Sequence, residues 1–244
     1  MRTAAVLLAL VLGSVPLAYA AEPVDVALVL VTDVSRSVTD SEFALEKQGY
    51  ASAVQSAEVL NAIRHGAIGA IALAYVEFSG EDQVVTVVGW QHIHDADSAK
   101  KFADSLLAQQ RSSVGRTAIG SGIAAGIQDL AESGFAPTRR IIDVCGDGND
   151  NAGIPMAEAR AEAVKADITV NGLAIIHDNP PPWLAPHVDP PGGLVKYYHD
   201  NVIVGPGSFV MEVHDYHDFG TAMARKLVIE IARGTTQGGK RGLE

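Results

Sequence analysis

Short, nearly continuous apolar runs alternate with longer amphipathic stretches along this chain, and that alternation restricts what it can fold into. Val26-Ala27-Leu28-Val29-Leu30-Val31 is the purest of the runs. A strand apolar on both sides must be covered on both sides, which means a mainly parallel sheet with helices on each face. Composition predicts strands over residues 25–33, 68–78, 83–90, 140–144, 168–176 and, at an edge, 209–213. The second and third are joined by the turn Ser79-Gly80-Glu81-Asp82, so they form a hairpin, the antiparallel exception in the sheet. Helices are expected from a Thr39 or Asp40 cap to about residue 63, from Asp95 or Asp97 to about 108, and over 118–131, 155–165 and 219–231. The fold class is therefore α/β, a doubly wound, mostly parallel central sheet flanked by helices, with one antiparallel edge strand.

The expected helix over 118–131 carries Gly120, Gly122 and Gly126. Each glycine inside a helix costs roughly 1 kcal/mol relative to alanine, and close packing on the sheet is the reason to accept that cost. The spacing does not fit a dinucleotide loop, and no strand leads into it. Asn179-Pro180-Pro181-Pro182 and Pro190-Pro191-Gly192-Gly193 mark a surface loop. No internal repeat or interdomain linker is visible.

Arg2, an apolar run over residues 4–12 and Ala18-Tyr19-Ala20 have the order of a secretory signal peptide with its cleavage site. Gly13, Ser14 and Pro16 interrupt the run, which is too short to span a membrane. The expected organisation is a signal peptide over 1–20 and a single domain over 21–244, its core at about 24–233, exported to the periplasm or secreted. The formal charge of −11 becomes −12 once Arg2 is removed. Such a balance argues against nucleic acid and anionic membrane surfaces as partners. Cys145 is the only cysteine, so no intramolecular disulfide can form.

Where the first strand ends, Asp33-Val34-Ser35-Arg36-Ser37 presents a carboxylate and two hydroxyls at two-residue spacing. Small oxygen ligands on a tight loop suit a hard divalent cation. Taken alone, the same residues read equally well as a turn that caps the next helix. Ligands of doubly wound sheets bind at the carboxyl ends of strands where strand order reverses. Cys145-Gly146-Asp147-Gly148 brings a second carboxylate to that edge if its strand neighbours the first, and Gly115-Arg116-Thr117 adds a hydroxyl before the glycine-rich helix. Asp33, Ser35, Ser37, Thr117 and Asp147 then make an all-oxygen set from three loops. His92, His94, His214 and His217 match no zinc spacing and are expected at the surface or at helix starts. Trp90 and Trp183 are read as core or loop anchors or as partner contacts.

These motifs, in this order, resemble the von Willebrand factor A domain, in which they form the metal-ion-dependent adhesion site. The resemblance covers about residues 24–233. The finer pattern is similar to a bacterial exported subgroup, DUF1194, through Asp33-Val34-Ser35-Arg36-Ser37-Val38, Cys145-Gly146-Asp147-Gly148-Asn149-Asp150-Asn151 and Tyr198-His199-Asp200-Asn201-Val202-Ile203-Val204-Gly205-Pro206-Gly207. It implies that Ser35, Ser37 and Thr117 coordinate the ion directly, while Asp33 and Asp147 act through bound water. Cys145, where a hydroxyl residue is common, is expected to be a small buried filler. The ion is expected to be Mg²⁺, with Mn²⁺ or Ca²⁺ as alternatives.

Neutral direct ligands leave the cation most of its charge and an open position for a partner's acidic group. The expected function is thus divalent-cation-dependent protein binding in the cell envelope or outside the cell, without catalysis. Arg36, Arg116, Asn149 and Asn151 are the candidate partner contacts around the ion. The alternatives are a Mg²⁺-dependent hydrolase of phosphate esters, which lacks an evident base or nucleophile, and a structural module using the ion for stability.

Overall fold

The computed structural model describes residues 21–232. The expected signal peptide over 1–20, and the chain after residue 232, lie outside the described residues. Six strands form one sheet: β1 (Glu22–Asp33), β2 (Ile71–Phe78), β3 (Val84–Ile93), β4 (Phe135–Gly146), β5 (Ile168–Ile175) and β6 (Val210–Val213). Their order is β3-β2-β1-β4-β5-β6. Only β3 runs antiparallel, at one edge, as the hairpin signal predicts. The chain builds outward from β1 in one direction through β2 and β3, and then from β4 in the other. The strand order therefore reverses between β1 and β4, the place where an open α/β sheet binds ligands.

Alternation along β1 divides the core in two. Val26, Leu28 and Leu30 face a layer made by α1 (Asp40–Gln55), α2 (Ala57–Arg64), α3 (Ala96–Leu107) and α8 (Phe219–Ala232). Ala27, Val29 and Val31 face α4 (Ile119–Glu132), α5 (Met156–Lys165) and α7 (Leu194–Tyr197). The smaller side chains of β1 lie under the glycine-rich helix. A Cβ on Gly122 would stand 2.8 Å from Val31 Cγ1 and 2.9 Å from Phe78 Cδ1, so α4 sits closer to the sheet than a side chain there would allow.

Three elements differ from the sequence expectation. The helix expected from residue 40 to 63 is broken at Ser56, whose backbone is extended (ψ 148°) and whose Oγ accepts from Val59 N to begin α2. A serine hydroxyl competing for a nearby backbone N–H is a standard helix interruption. Strand β4 starts at Phe135, not Arg140, because its first half pairs with the start of β1, Glu22 opposite Phe135. The proline-rich stretch is not bare loop: it contains the one-turn helix α6 (Ala185–Val188) and is followed by α7 and a π-helical turn, Tyr198–Val202. Among the described residues no helix is long and apolar enough to cross a membrane.

Behind β4 and β5 lies a buried ionic group. Lys226 Nζ is 2.6 Å from Asp143 Oδ1 and 2.5 Å from Glu230 Oε1, with every side chain of the trio fully enclosed. Asn171 Nδ2 donates to Glu230 at 2.8 Å. One ammonium faces two carboxylates, so burial, followed by repulsion from Asp143, raises the Glu230 pKa to about 7. The folded protein then keeps a proton that the unfolded chain releases near pH 4.5. Glu230's contribution to stability is complete below that value and is lost as pH rises toward about 7.

Two outcomes follow from this packing. Gly122→Val should cost about 2 kcal/mol of stability by overpacking α4 against β1 and β2; an unchanged urea midpoint would contradict it. Glu230→Gln should flatten the fall in stability between about pH 5 and 7, worth roughly 3 kcal/mol at most. Urea midpoints measured across that range check this, and parallel profiles for the two proteins would count against it.

Candidate metal centre

At the end of β1 the chain turns sharply because Asp33 Oδ1 accepts the Ser35 amide at 2.7 Å. Val34 N still donates to Phe78 O, so the turn hangs from β2. Arg36 N donates to Gly115 O, which ties it to the loop before α4. The turn is gripped from outside by Arg111. Its Nη2 donates to the carbonyls of Val34 (2.8 Å), Ser35 (2.6 Å) and Val38 (2.9 Å), and its Nη1 meets Asp40 Oδ1 at 3.1 Å. With three carbonyls drawn outward onto one guanidinium, the hydroxyls of Ser35 and Ser37 are left on the inner side, 3.0 Å apart.

Parallel pairing sets Thr32 opposite Cys145 across β1 and β4, which brings Asp147 beside the turn. Ser37 Oγ donates to Asp147 Oδ1 at 2.6 Å. His177, just past β5, approaches Asp147 Oδ2 with Nε2 at 2.9 Å. Thr117 is pinned two residues before α4: its N donates to Asn151 Oδ1, and its carbonyl accepts from Asn151 N. Thr117 Oγ1 lies 3.1 Å from His187 Nε2. Asp33, Ser35, Thr117 and Asp147 are all buried, and Ser37 is half-buried. Hydrogen bonds thus link Asp33, Ser35, Ser37 and Asp147 at the strand-order reversal, whereas Thr117 is held by Asn151 and His187.

The electrostatics of this group are unbalanced. Asp33 is pushed well above the usual carboxylate range, by burial first and by Asp147 second. Its Oδ2 is buried and makes no hydrogen bond. The His177 imidazole is raised by its hydrogen bond to Asp147, while His187 is lowered by burial. Beneath, Cys145 is buried as expected and its Sγ approaches Glu46 Oε1 at 3.2 Å. Burial pushes the Glu46 carboxyl well above its usual range, with the hydrogen bond from Cys145 opposing it. A divalent cation fits this donor set: it supplies the positive charge that two buried carboxylates and an orphaned oxygen call for. Among the described residues no three His, Cys, Asp or Glu side chains form a metal-holding group. The donors that meet here are mainly hydroxyls, which suit a hard cation.

Of the four candidate partner contacts, Arg36, Arg116 and Asn151 are exposed and Asn149 is half-buried. Arg116 is turned onto Asn151, donating to its side-chain and backbone oxygens. Asn149 Oδ1 faces His187 Nδ1 at 2.7 Å, and Asn151 Nδ2 stands 3.3 Å from the same nitrogen. Three of the four therefore support the rim of the site. His214 and His217 are exposed; His92 stacks on Phe135. Trp90 is anchored through Nε1 to Asp129 O, whereas Trp183 is 79% exposed.

Sequence reasoning missed Arg111, His177 and His187. Arg111 carries no local motif, and only the fold brings it across 76 residues to Ser35. His177 could have been suspected from its place at the end of a strand, Ile176-His177-Asp178, at the sheet edge that already held Asp33 and Asp147. His187 lies in the proline-rich stretch, where composition predicts only a surface loop.

A family model described as "Protein of unknown function (DUF1194)" matches residues 23–235. A search of the curated proteins finds no match. Among solved structures, proximal thread matrix protein 1 from the mussel byssus is similar, with a TM-score of 0.61 at 18% identity, covering 86% of this chain and 48% of that one. The same protein with a zinc-occupied MIDAS motif gives 0.58 at 19% identity, with coverage of 86% and 48%. A von Willebrand factor type A protein from Catenulispora acidiphila gives 0.51 at 16% identity, covering 86% and 43%. The pilus adhesin SpaC from Lactobacillus rhamnosus GG gives 0.56 at 14%, covering 86% and 30%. This chain spans about half the length of the mussel protein, and at these identities the likeness shows the fold alone.

Because Arg111 holds the turn through three carbonyls, Arg111→Ala should weaken divalent-cation binding about tenfold, a typical cost of losing a group that orients ligands. Calorimetric titration of the two proteins with Mg²⁺ checks this, and equal affinities would show that the turn holds its shape unaided.

Proposed function

The chain belongs to the DUF1194 family and has a von Willebrand factor A-like fold, and on that footing we propose that it is an exported, divalent-cation-dependent protein-binding domain. Residues 1–20 act as its signal peptide, and residues 21–244 make one domain that works in the periplasm or outside the cell. Ser35, Ser37 and Thr117 bind the ion directly; Asp33 and Asp147 hold it through water. The ion is a divalent cation, and the hydroxyls and carboxylates by themselves suit Mg²⁺, Mn²⁺ or Ca²⁺.

The observation that carries this reading is the buried, unpartnered Asp33 Oδ2, on a carboxylate that is repelled by Asp147 and whose other oxygen holds the Ser35 amide. A buried carboxylate oxygen without a donor costs a few kcal/mol unless something cationic meets it. Hydroxyls are weak neutral donors, so an ion held by them keeps its charge and its appetite for another oxygen. An acidic side chain on a partner protein satisfies that demand, and nothing in the step breaks a bond. The chain's role is therefore recognition, not catalysis. The likeness of fold to a pilus adhesin and to a protein with a zinc-occupied MIDAS motif is in keeping with it.

Saturating Mg²⁺, at about 100 times its dissociation constant, should stabilise the mature protein by about 2.7 kcal/mol. Asp33→Ala with Ser35→Ala should abolish that gain. Thermal melts with and without chelator provide the test, and a double variant that still responds to Mg²⁺ would place the ion elsewhere.

A further inference from the structure

The segment that joins β5 to α7 returns across the candidate metal centre and sets one side chain into it. A turn at Pro181–Leu184, closed by Leu184 N and Ala185 N donating to Pro181 O, leads into α6. His187 then sits over the loop after β4. Asn149 N donates to His187 O at 3.0 Å, fixing the backbone. The ring lies so close to Gly148 that a Cβ at that position would be 2.2 Å from Nε2. Val188, the next residue, is buried and anchors the segment. His187 is thus a side chain with a prepared seat.

The two nitrogens of the ring meet different surroundings. Nδ1 has the Asn149 carbonyl oxygen at 2.7 Å, an acceptor that favours the proton on Nδ1 over the more distant Asn151 amide at 3.3 Å. Nε2 is then the nitrogen with the lone pair, and it points at Thr117 Oγ1, 3.1 Å away. A carbonyl holding one imidazole nitrogen so that the other can bind a metal is the usual arrangement around histidine ligands. His177 is placed differently, since its Nε2 is engaged by Asp147 Oδ2. It orients a carboxylate and has no nitrogen lone pair directed at the hydroxyls.

We propose that His187 Nε2 is a ligand to the ion at this centre, which makes the centre selective for a borderline transition-metal cation, Zn²⁺ above all, over Mg²⁺. This rests on the metal-binding reading given above and adds to it the donor that sets the choice of ion. Imidazole nitrogen suits Zn²⁺, whereas Mg²⁺ keeps to oxygen ligands and water. With three hydroxyls and one imidazole bound, an acidic side chain would enter as a fifth ligand, a coordination number that zinc reaches in some sites. The proline-rich segment thereby acts as part of the metal site, and its rigidity keeps the imidazole at hand without a large entropic cost.

The test titrates metal-free wild-type, His187→Ala and Asp33→Ala proteins with Zn²⁺ and Mg²⁺ separately by calorimetry. Zinc held by Asp33→Ala reports the chain's other histidines and is subtracted. His187→Ala should lower Zn²⁺ affinity about tenfold more than it lowers Mg²⁺ affinity. Independently of any variant, nitrogen NMR of histidine-labelled wild-type protein should show the His187 Nε2 resonance moving on Zn²⁺ addition while Nδ1 stays protonated. Equal losses for both ions, no loss for Zn²⁺, or an unmoved Nε2 resonance would each overturn the assignment while leaving the metal centre intact. If neither ion binds the wild type in a way that Asp33→Ala removes, the metal-binding reading fails and this inference fails with it.

Discussion

Parallel pairing of β1 with β4 forces the carboxylates of Asp33 and Asp147 into the same enclosed space, and two like charges in a region of low dielectric repel strongly. The groups around them are arranged in answer to that conflict. Ser37 and His177 each hydrogen-bond one oxygen of Asp147. Asp33 gives one oxygen to the Ser35 amide and leaves the other unmet. Arg111 contributes positive charge but spends its hydrogen bonds on Asp40 and the carbonyls of the turn. The unbalanced remainder is a demand for a cation at one defined spot.

The rest of the molecule holds that spot still. The large side chains of β1, Leu28 and Leu30, pack into the layer of α1, α2, α3 and α8, which fixes the strand's height. The other face uses small residues and glycine to bring α4 close, and Thr117 is carried in ahead of that helix. A one-residue slip of β1 would exchange the two faces and turn Asp33 away from its neighbours. Core packing and site geometry are therefore two consequences of one register.

Much of this was legible in the chain. The run over residues 26–31, the hairpin turn and the glycine-rich helix predict the sheet, its antiparallel edge and the close helix, because each rests on local periodicity or turn chemistry. Asp33, Ser35, Ser37 and Asp147, which hydrogen bonds link, could be grouped in advance because strand ends in a doubly wound sheet converge. Two kinds of feature escaped. Ser56 breaks a helix through one side-chain hydrogen bond, a local choice that apolar spacing does not encode. Arg111, His177 and His187 act across long sequence separations, and His187 is delivered by a proline-rich segment without periodicity. Such contacts belong to tertiary structure. The candidate partner residues Arg116, Asn149 and Asn151 also belong to the network around Thr117 and His187, which their sequence positions do not reveal.

The central claim is that one cation belongs among the ends of β1 and β4 and the start of α4. Anomalous diffraction from crystals of residues 21–244 grown with Mn²⁺ measures this directly. A single strong peak should lie bonded to Ser35 Oγ, Ser37 Oγ and Thr117 Oγ1, at about 2.0–2.4 Å as expected for such ions. A peak elsewhere, with those three hydroxyls free of metal, would contradict it.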